Sequence, residues 1–558
     1  MNDYRQEESV RIVPLGGVGE IGKNMTAVEY RGKIVVVDCG VEFPADDMLG
    51  IDLVIPDVTW LVERADDVLG FIITHAHEDH HGGLPFVLRQ LNKPVFASRF
   101  TLAIIKSKLD EHGLLKSAEL TEVNADSRLN VGPFALSFVA VTHSVPDALA
   151  VVLGTELGAV VLTGDYRLDP TPIDGRITDL ERLERLGEAG VLALLGDSTN
   201  IETSGSTGSE RSVGSAFERI FAEAEGRVIV ASFGSHIHRV QQAIRVAHAH
   251  GRKFAVSGRS MQKYVNIARN LGYLDVPEGA MIKLSEIDQY RPEEILVLST
   301  GSQGEPLSAL RRMAFADHPQ VELHEGDTVV ISAKAIPGNE VSVMSTINRL
   351  LKSGARVVYG EGAGVHVSGH AAREDLRTVL RLLRPQYFLP VHGEYRHQYL
   401  HAELARECGL PEEDIFILEN GDMLEITADN AELAGRVPAG MVLIVGFEIG
   451  EEGGIVLRDR RQLAGDGILI AVATVDAHDG SSAAPPELVA RGFLHDDDRQ
   501  RDMLEECSQA LETLLDEIAA THVTGRRVIQ DDIKDTLAEL VYRRTKRRPL
   551  ILPVVVEV

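Results

Sequence analysis

The segment Thr74-His75-Ala76-His77-Glu78-Asp79-His80 constrains this chain more than any other. It places four potential metal ligands, His75, His77, Asp79 and His80, directly after the apolar run Val68–Ile73 and just before Gly82-Gly83. His and carboxylate ligands suit Zn2+ and neighbouring divalent ions. On a helix, His75 and Asp79 would share a face. The preceding strand and the following glycine pair favour a loop instead, which can turn His75 and His77 toward one cation and Asp79 and His80 toward another. Further ligands recur in the same setting. His143 follows the strand ending at Val141, Asp165 follows Val160–Leu162, and His392 follows Leu389-Pro390-Val391. Each stands just past the carboxyl end of an expected strand, where α/β folds place their sites. One His after one strand is more often structural; the placements together are not.

Around these ligands the first third of the chain reads as short aliphatic strands, Ile34–Val37, Val68–Ile73, Ala135–Val141, Ala159–Leu162 and Val191–Leu195, with a helix over Leu84–Leu91. From about Ser206 the rhythm becomes strand, small polar residues, helix. Arg227–Ala231, Lys253–Val256, Ile295–Leu298 and Thr328–Ile331 are the strands. Helices are expected over His238–His248, Met261–Leu271 and Val341–Leu351. This alternation predicts a second, doubly wound parallel domain. The first style returns after Arg356–Tyr359, with the short strand Tyr387–Val391. The stretch Glu448–Gly467 reads as a linker. Beyond it come a strand over Ile468–Val475, helices near Arg499–Thr521 and Asp531–Arg544, and a terminal strand over Leu550–Val556. A chain of 558 residues exceeds what one core serves, which agrees with several domains.

Three widely spaced cysteines, Cys39, Cys408 and Cys507, make no disulfide framework and no cysteine-based zinc ribbon, so a reducing cytoplasm fits best. The segment Met1–Val10 has no apolar signal core, and no apolar run is long enough to span a bilayer. A net charge of -28 argues against a general nucleic-acid coat but leaves room for a local groove. The basic run Arg543-Arg544-Thr545-Lys546-Arg547-Arg548 suits nucleic-acid contact and a solvated helix end equally.

The pattern His-x-His-x-Asp-His, a later His, a Gly-Asp and a distal His resembles the signature of the metallo-β-lactamase superfamily. The resemblance implies one cation held by His75, His77 and His143, a second held by Asp79, His80 and His392, and Asp165 bridging both. The segment inserted between Asp197 and about Gly362 is similar to that of the β-CASP group, whose members process nucleic acids. That group's motifs match Asp197, His370 and His392, and a His at the third position accompanies RNA substrates. Finer text, Leu15–Asn24, Ile336–Glu340 and Pro390–Arg396, resembles the bacterial ribonuclease J family over essentially the whole chain. The implied architecture is α/β. A metallo-β-lactamase αββα core occupies 1–205 and 362–447, an inserted Rossmann-like β-CASP domain 206–361, a linker 448–467 and a small α+β domain 468–558.

The resemblance also implies a cytoplasmic, metal-dependent ribonuclease with two divalent ions per subunit, Zn2+ or Mn2+. Its ligands suit both metals. It would trim RNA 5′-to-3′ from 5′-monophosphate ends, also cut internally, and serve RNA maturation and decay. A homodimer or homotetramer and an association with RNA-decay machinery are implied as well. His370, oriented by Asp197, is a reasonable proton carrier for phosphodiester hydrolysis, since His titrates near neutrality. Asp197 also suits a helix cap or a group that orients a ligand. Ser235, His236, Ser332 and the block His366, Val367, Ser368, Gly369 and His370 are the expected phosphate pocket, although single Ser and Gly residues at strand ends are usually turns and caps. The competing readings are a β-CASP DNA nuclease, a small-molecule metallo-hydrolase such as a lactonase or thioesterase, and an RNA scaffold without turnover. The inserted domain and the Asp197/His370 pair speak against the hydrolase, and the complete ligand set against the scaffold.

Overall fold

The strands Val10–Gly16, Met25–Tyr30 and Lys33–Val37 are buried on both faces almost throughout, so each lies inside a covered sheet. The computed structural model describes residues 8–44, 48–305, 307–336, 339–446, 448–449, 455–476, 481–494, 497–521 and 525–558. Pro337 and Gly338 of the stretch 336–340, and residues 450–454 of the expected linker, lie outside them. Two compact units divide the chain: Met1–Phe43 with Leu53–Met441, and Pro44–Asp52 with Val442–Val558.

In the first unit the early strands pair antiparallel and continue through parallel partners. The sheet order is Ala431–Arg436, Asp422–Ile426, Val10–Gly16, Met25–Tyr30, Lys33–Val37, Val68–Ile73, Val95–Ala97 and Leu120–Glu122. A second sheet runs Tyr387–Val391, Val191–Asp197, Gly158–Leu162, Leu149–Thr155, Phe134–Ala140 and Arg128–Val131. Val28, Val35 and Ile72 of the first share a core with Leu136, Val151 and Leu195 of the second. Helices Leu180–Ala189, Arg373–Leu383 and Tyr395–Glu407 cover the second sheet's other face through Leu183, Val379, Leu380 and Leu404. This is the metallo-β-lactamase layering.

The inserted segment builds its own all-parallel sheet, ordered Lys253–Ser257, Ile295–Ser299, Val228–Ala231, Thr328–Ile331 and Arg356–Val358. Alternate residues of each strand face opposite ways. Val228, Val230 and Leu298 therefore pack on helices Arg211–Glu223, Ile237–Ala249 and Arg259–Leu271. Ile229, Val297 and Val329 pack on Ala309–Ala314 and Glu340–Lys352.

The second unit contains Ser482–Arg491, Ile468–Val475 and Leu550–Glu557 in that order, with helices Asp497–Ala520 and Arg526–Thr545 over Leu469, Ala471 and Val555. Two expectations are corrected here. The stretch read as a linker holds a helix, Ile455–Asp466, because Leu-Arg-Asp-Arg-Arg-Gln-Leu are helix formers whose charge density imitated a linker. The strand Ser482–Arg491 escaped notice because it contains Pro485-Pro486, which an edge strand tolerates. Among the described residues no helix is long and apolar enough to cross a membrane.

Candidate metal centre

The ligand segment leaves its strand at Ile73 as a loop and then closes one helical turn over Glu78–His81. A loop throughout was expected. The turn forms because His80 and His81 donate their backbone N–H groups to His77 O at 3.0 and 3.1 Å, and Glu78 and Asp79 suit the positive end of a turn. His75 and His77 thus precede the turn, while Asp79 and His80 ride on it. The neighbouring loop clamps the turn: Cys39 N donates to His80 O at 2.8 Å and Val41 N to Glu78 O at 3.1 Å. Gly40 permits this approach, since a Cβ there would stand 1.7 Å from Asp79 O.

Seven side chains then converge from four strand ends. His75, His77, His143 and Asp165 form one group, and Asp79, His80, Asp165 and His392 a second, with ligand atoms inside each group within 4.8 Å of one another. His77 Nδ1 lies 3.0 Å from His75 Nε2 and 3.1 Å from His143 Nε2. Asp165 Oδ2 is 3.5 Å from His75 Nε2 and 3.6 Å from His143 Nε2. Its Oδ1 is 3.2 Å from His80 Nε2 and 3.0 Å from His392 Nδ1, and His392 Nε2 is 3.3 Å from Asp79 Oδ2. Asp165 is therefore the one carboxylate shared by both groups.

The outer nitrogens are already committed. His80 Nδ1 donates to Asp38 at 2.7 Å, and His143 Nδ1 to the Gly369 carbonyl at 2.8 Å. His75 Nδ1 donates to Thr74 Oγ1 at 3.0 Å, and that hydroxyl donates to Asp38. His77 Nε2 reaches Ser144 Oγ at 3.2 Å. With the proton on that outer nitrogen, each of these four rings turns a lone pair inward, which is how metal-binding histidines are oriented. Asp165 Oδ1 and His392 Nε2 are buried with no hydrogen-bond partner. Buried orphans are rare in folded proteins, and a divalent cation in the second group would satisfy both. The residues present fit the ions.

The electrostatics divide the histidines into two sets. Burial, with neighbouring histidines, holds His75 and His143 well below the usual His range and lowers His77 to about 4. Burial opposes charge on His80 and His392 as well, yet Asp165 and the carboxylates beside it raise both. Burial likewise would lift Asp165, but His392, His80, His370 and His75 hold it well below the ordinary carboxylate range. His392 adopts a left-handed backbone, φ 52°, and its N–H donates to Gly17 O at 2.7 Å.

Asp197 and His370 form a third cluster of the same kind with Asp165 and His392, overlapping the second group. His370 Nδ1 donates to Asp197 Oδ2 at 2.8 Å, while His370 Nε2 faces Asp165 Oδ2 at 3.8 Å. Asp197 Oδ1 accepts from Thr199 N at 3.0 Å and Oγ1 at 2.8 Å, so it is rigidly held. Burial works against charge on His370, and Asp197 and Asp165 overcome it to raise its pKa.

The residues expected to meet a phosphate divide in two. His236, Ser332, His366 and Val367 gather round the fully buried Arg239. Its Nη1 donates to Ser332 O at 2.7 Å and to His366 Nδ1 at 3.2 Å, its Nη2 to Val367 O at 3.3 Å, and its backbone N to His236 Nδ1 at 3.3 Å. Ser368, Gly369 and His370 face the ligand groups, Ser368 Oγ accepting from His370 N at 3.1 Å. Ser235 is half-buried at the start of the helix Ile237–Ala249.

Three groups escaped the sequence reading. Asp38 carried a visible signal, an acid just past Ile34–Val37 as Asp165 is past its own strand. Arg239 and Glu210 carried none, because a lone Arg in a helix and an acid before one look like surface residues.

Models of four families match successive parts of the chain: "Metallo-beta-lactamase superfamily" over residues 18–213, "Ribonuclease J, beta-CASP domain" over 225–350, "Zn-dependent metallo-hydrolase RNA specificity domain" over 363–418 and "Ribonuclease J C-terminal domain" over 455–558. The chain is 43% identical over 546 residues to ribonuclease J 1 of Streptococcus pyogenes, covering 98% of this chain and 97% of that one. It is 39% identical to ribonuclease J2 of Bacillus subtilis, covering 99% and 100%, and 41% identical to ribonuclease J of Thermus thermophilus, covering 99% and 96%. A solved structure of a protein of unknown function from Enterococcus faecalis shares the fold at TM-score 0.52 and 16% identity, over 75% of this chain and 100% of that one.

Proposed function

Because this chain belongs to the ribonuclease J family of metal-dependent ribonucleases, we propose that each ligand group around Asp165 holds one divalent cation, Zn2+ or Mn2+, and that the enzyme trims RNA 5′-to-3′ from a monophosphorylated end while also cutting internally. The sharing of Asp165 between His75/His77/His143 and Asp79/His80/His392 carries this reading. When bound, such a pair supplies Lewis-acid charge to a phosphoryl centre and eases the ionisation of water.

The protein's own groups do the rest. Asp165 keeps the two groups in one geometry. Asp38, Thr74, Ser144 and Gly369 O fix the ring orientations. His370 is the proton carrier for the leaving 3′ oxygen. Asp197 holds its ring by the 2.8 Å hydrogen bond and favours its charged form, while Nε2 faces the reacting side. The 5′ phosphate is received at Ser235, His366 and the backbone of Ser368–His370. His236, Ser332 and Val367 hold Arg239 behind them. The protein assembles as a homodimer or homotetramer in the cytoplasm and works with RNA-decay machinery. With net charge -28, RNA contact is confined to this channel and weakens with salt.

Digestion of end-labelled RNA tests the pocket. A 5′-monophosphorylated RNA is expected to be trimmed at least about tenfold faster than its 5′-triphosphate counterpart, because a site shaped for the smaller group leaves the larger one unplaced. Equal rates would remove the pocket, and equal rates on DNA of the same sequence would remove the RNA preference.

Gly369→Ala tests the His143 anchor. A Cβ there would stand 2.7 Å from His143 Cε1 and 3.1 Å from Nδ1. Displacing the ring is expected to weaken metal binding by about 10- to 100-fold. Titration of the metal-free variant with Zn2+ or Mn2+ checks it, and wild-type affinity would show that this contact does not orient His143.

A further inference from the structure

We propose that Glu210 is a positioning residue for RNA cleavage: by pairing two buried arginines from distant parts of the chain, it fixes the loop that carries His370. The proposal rests on His370 being the proton carrier.

Glu210 precedes the helix Arg211–Glu223 and is fully buried. Arg239 grips it with both arms of its guanidinium, Nε to Oε1 at 2.7 Å and Nη2 to Oε2 at 2.8 Å. Arg167 Nη1 lies 3.6 Å from the same Oε2, and Arg167 Nη2 lies 3.4 Å from Asp169, whose Oδ2 accepts from Glu210 N at 3.0 Å. Arg167 and Arg239 are themselves fully buried. Two cations thus meet two carboxylates in the interior, and Glu210 is the carboxylate that both cations reach.

The nitrogens that face Glu210 Oε2, Arg239 Nη2 and Arg167 Nη1, also reach the His370 loop. Arg239 takes Val367 O at 3.3 Å and Arg167 takes Ser368 O at 2.9 Å. His143 takes the next carbonyl, Gly369 O, and Thr207 Oγ1 takes His370 O at 2.9 Å. Four successive carbonyls are therefore held, the first two by cations that Glu210 neutralises. Without its charge, Arg239 would lose its carboxylate and Arg167 would keep only Asp169, in a poorly screened interior where like charges repel strongly. The arginines would move apart and release Val367 and Ser368. His370 would lose the backbone placement on which its alignment with Asp197 depends. Buried ion clusters are weak sources of stability and are better suited to specifying one arrangement.

The test is steady-state cleavage of 5′-monophosphorylated RNA by the full-length enzyme, with metal content measured in each variant. Glu210→Gln is expected to lower kcat about 10- to 100-fold with KM within about twofold and metal content unchanged, as loss of an orienting group does. In a His370→Ala background the same change is expected to cost less than about threefold, because its effect runs through the missing ring. Wild-type kcat in Glu210→Gln, or an undiminished loss in the double variant, overturns the proposal. Should Glu210→Gln fail to fold, Arg167→Lys carries the same cycle, since it keeps the charge and shortens the reach to Ser368 O. Wild-type kcat there, or failure of both variants to fold, overturns it as well. An unchanged kcat in His370→Ala alone would remove the proton-carrier reading itself. A slow His370→Ala beside a fast Glu210→Gln removes only the role of Glu210.

Discussion

His77→Ala is expected to abolish RNA cleavage and to lower the bound metal from two ions to one per chain, whereas Asp165→Asn is expected to lose both. His77 contributes to one ligand group and Asp165 to both. His77 Nδ1 sits between His75 Nε2 and His143 Nε2, so its removal leaves that cation two nitrogens and one carboxylate oxygen. The other group, Asp79, His80 and His392, is untouched. Asp165→Asn instead removes the shared negative charge and turns one of the two oxygens, each 3.0–3.6 Å from a pair among His75, His143, His80 and His392, into an amide nitrogen that cannot bind a cation. Bound metal lowers the pKa of water by about eight units in favourable sites. Losing that assistance is expected to slow cleavage by at least about four orders of magnitude. Elemental analysis of purified variants gives the stoichiometry, and a thermal melt shows that the fold persists. Two ions retained in His77→Ala would overturn the assignment of the first group. One ion retained in Asp165→Asn would overturn the bridge.

Asp165 and its neighbours were legible because the pattern is local: an apolar strand, then a ligand. All seven ligands follow a strand end, four of them in the loop and single turn after Ile73, and a turn of that kind needs few residues to read. The second ligand group needed the distal His392, more than two hundred residues from Asp165, and its place was readable only through Leu389-Pro390-Val391. The helical turn over Glu78–His81 was missed because Gly82-Gly83 dominated the local propensity; the clamp from Cys39 and Val41 supplies what propensity did not. Of the fold, the parallel inserted sheet was the clearest element, since four strand–helix repeats leave little choice of connection. The pairing of Val10–Gly16 with Asp422–Ile426 was not readable, because register between segments so far apart is set by packing. The arginine cluster behind His370 was invisible for the same reason. A helix position such as Arg239 reveals burial only when Glu210, Ser332 and Val367 surround it.

His370→Ala is expected to behave differently from every ligand variant: metal content stays at the wild-type value while kcat falls about 100- to 10,000-fold, the range for loss of one positioned acid–base group. The side chain of His370 is 21% exposed, and its Nδ1 is committed to Asp197. Nε2 faces Asp165 at 3.8 Å, beyond hydrogen-bond range, so it is free to serve a substrate oxygen on that side. If His370 gives its proton to the leaving 3′ oxygen, the loss must shrink when the leaving atom needs no proton. An RNA with bridging sulfur in place of the 3′ oxygen at one linkage supplies such an atom. The variant is expected to cut that linkage within about tenfold of the wild-type rate, since a thiolate leaves unaided near neutral pH. Asp197→Asn should then share the defect on ordinary RNA and its relief on the sulfur substrate, because it acts by orienting and charging the same ring. A full defect on both substrates would place His370 elsewhere in the reaction, as an orienting group for the attacking water.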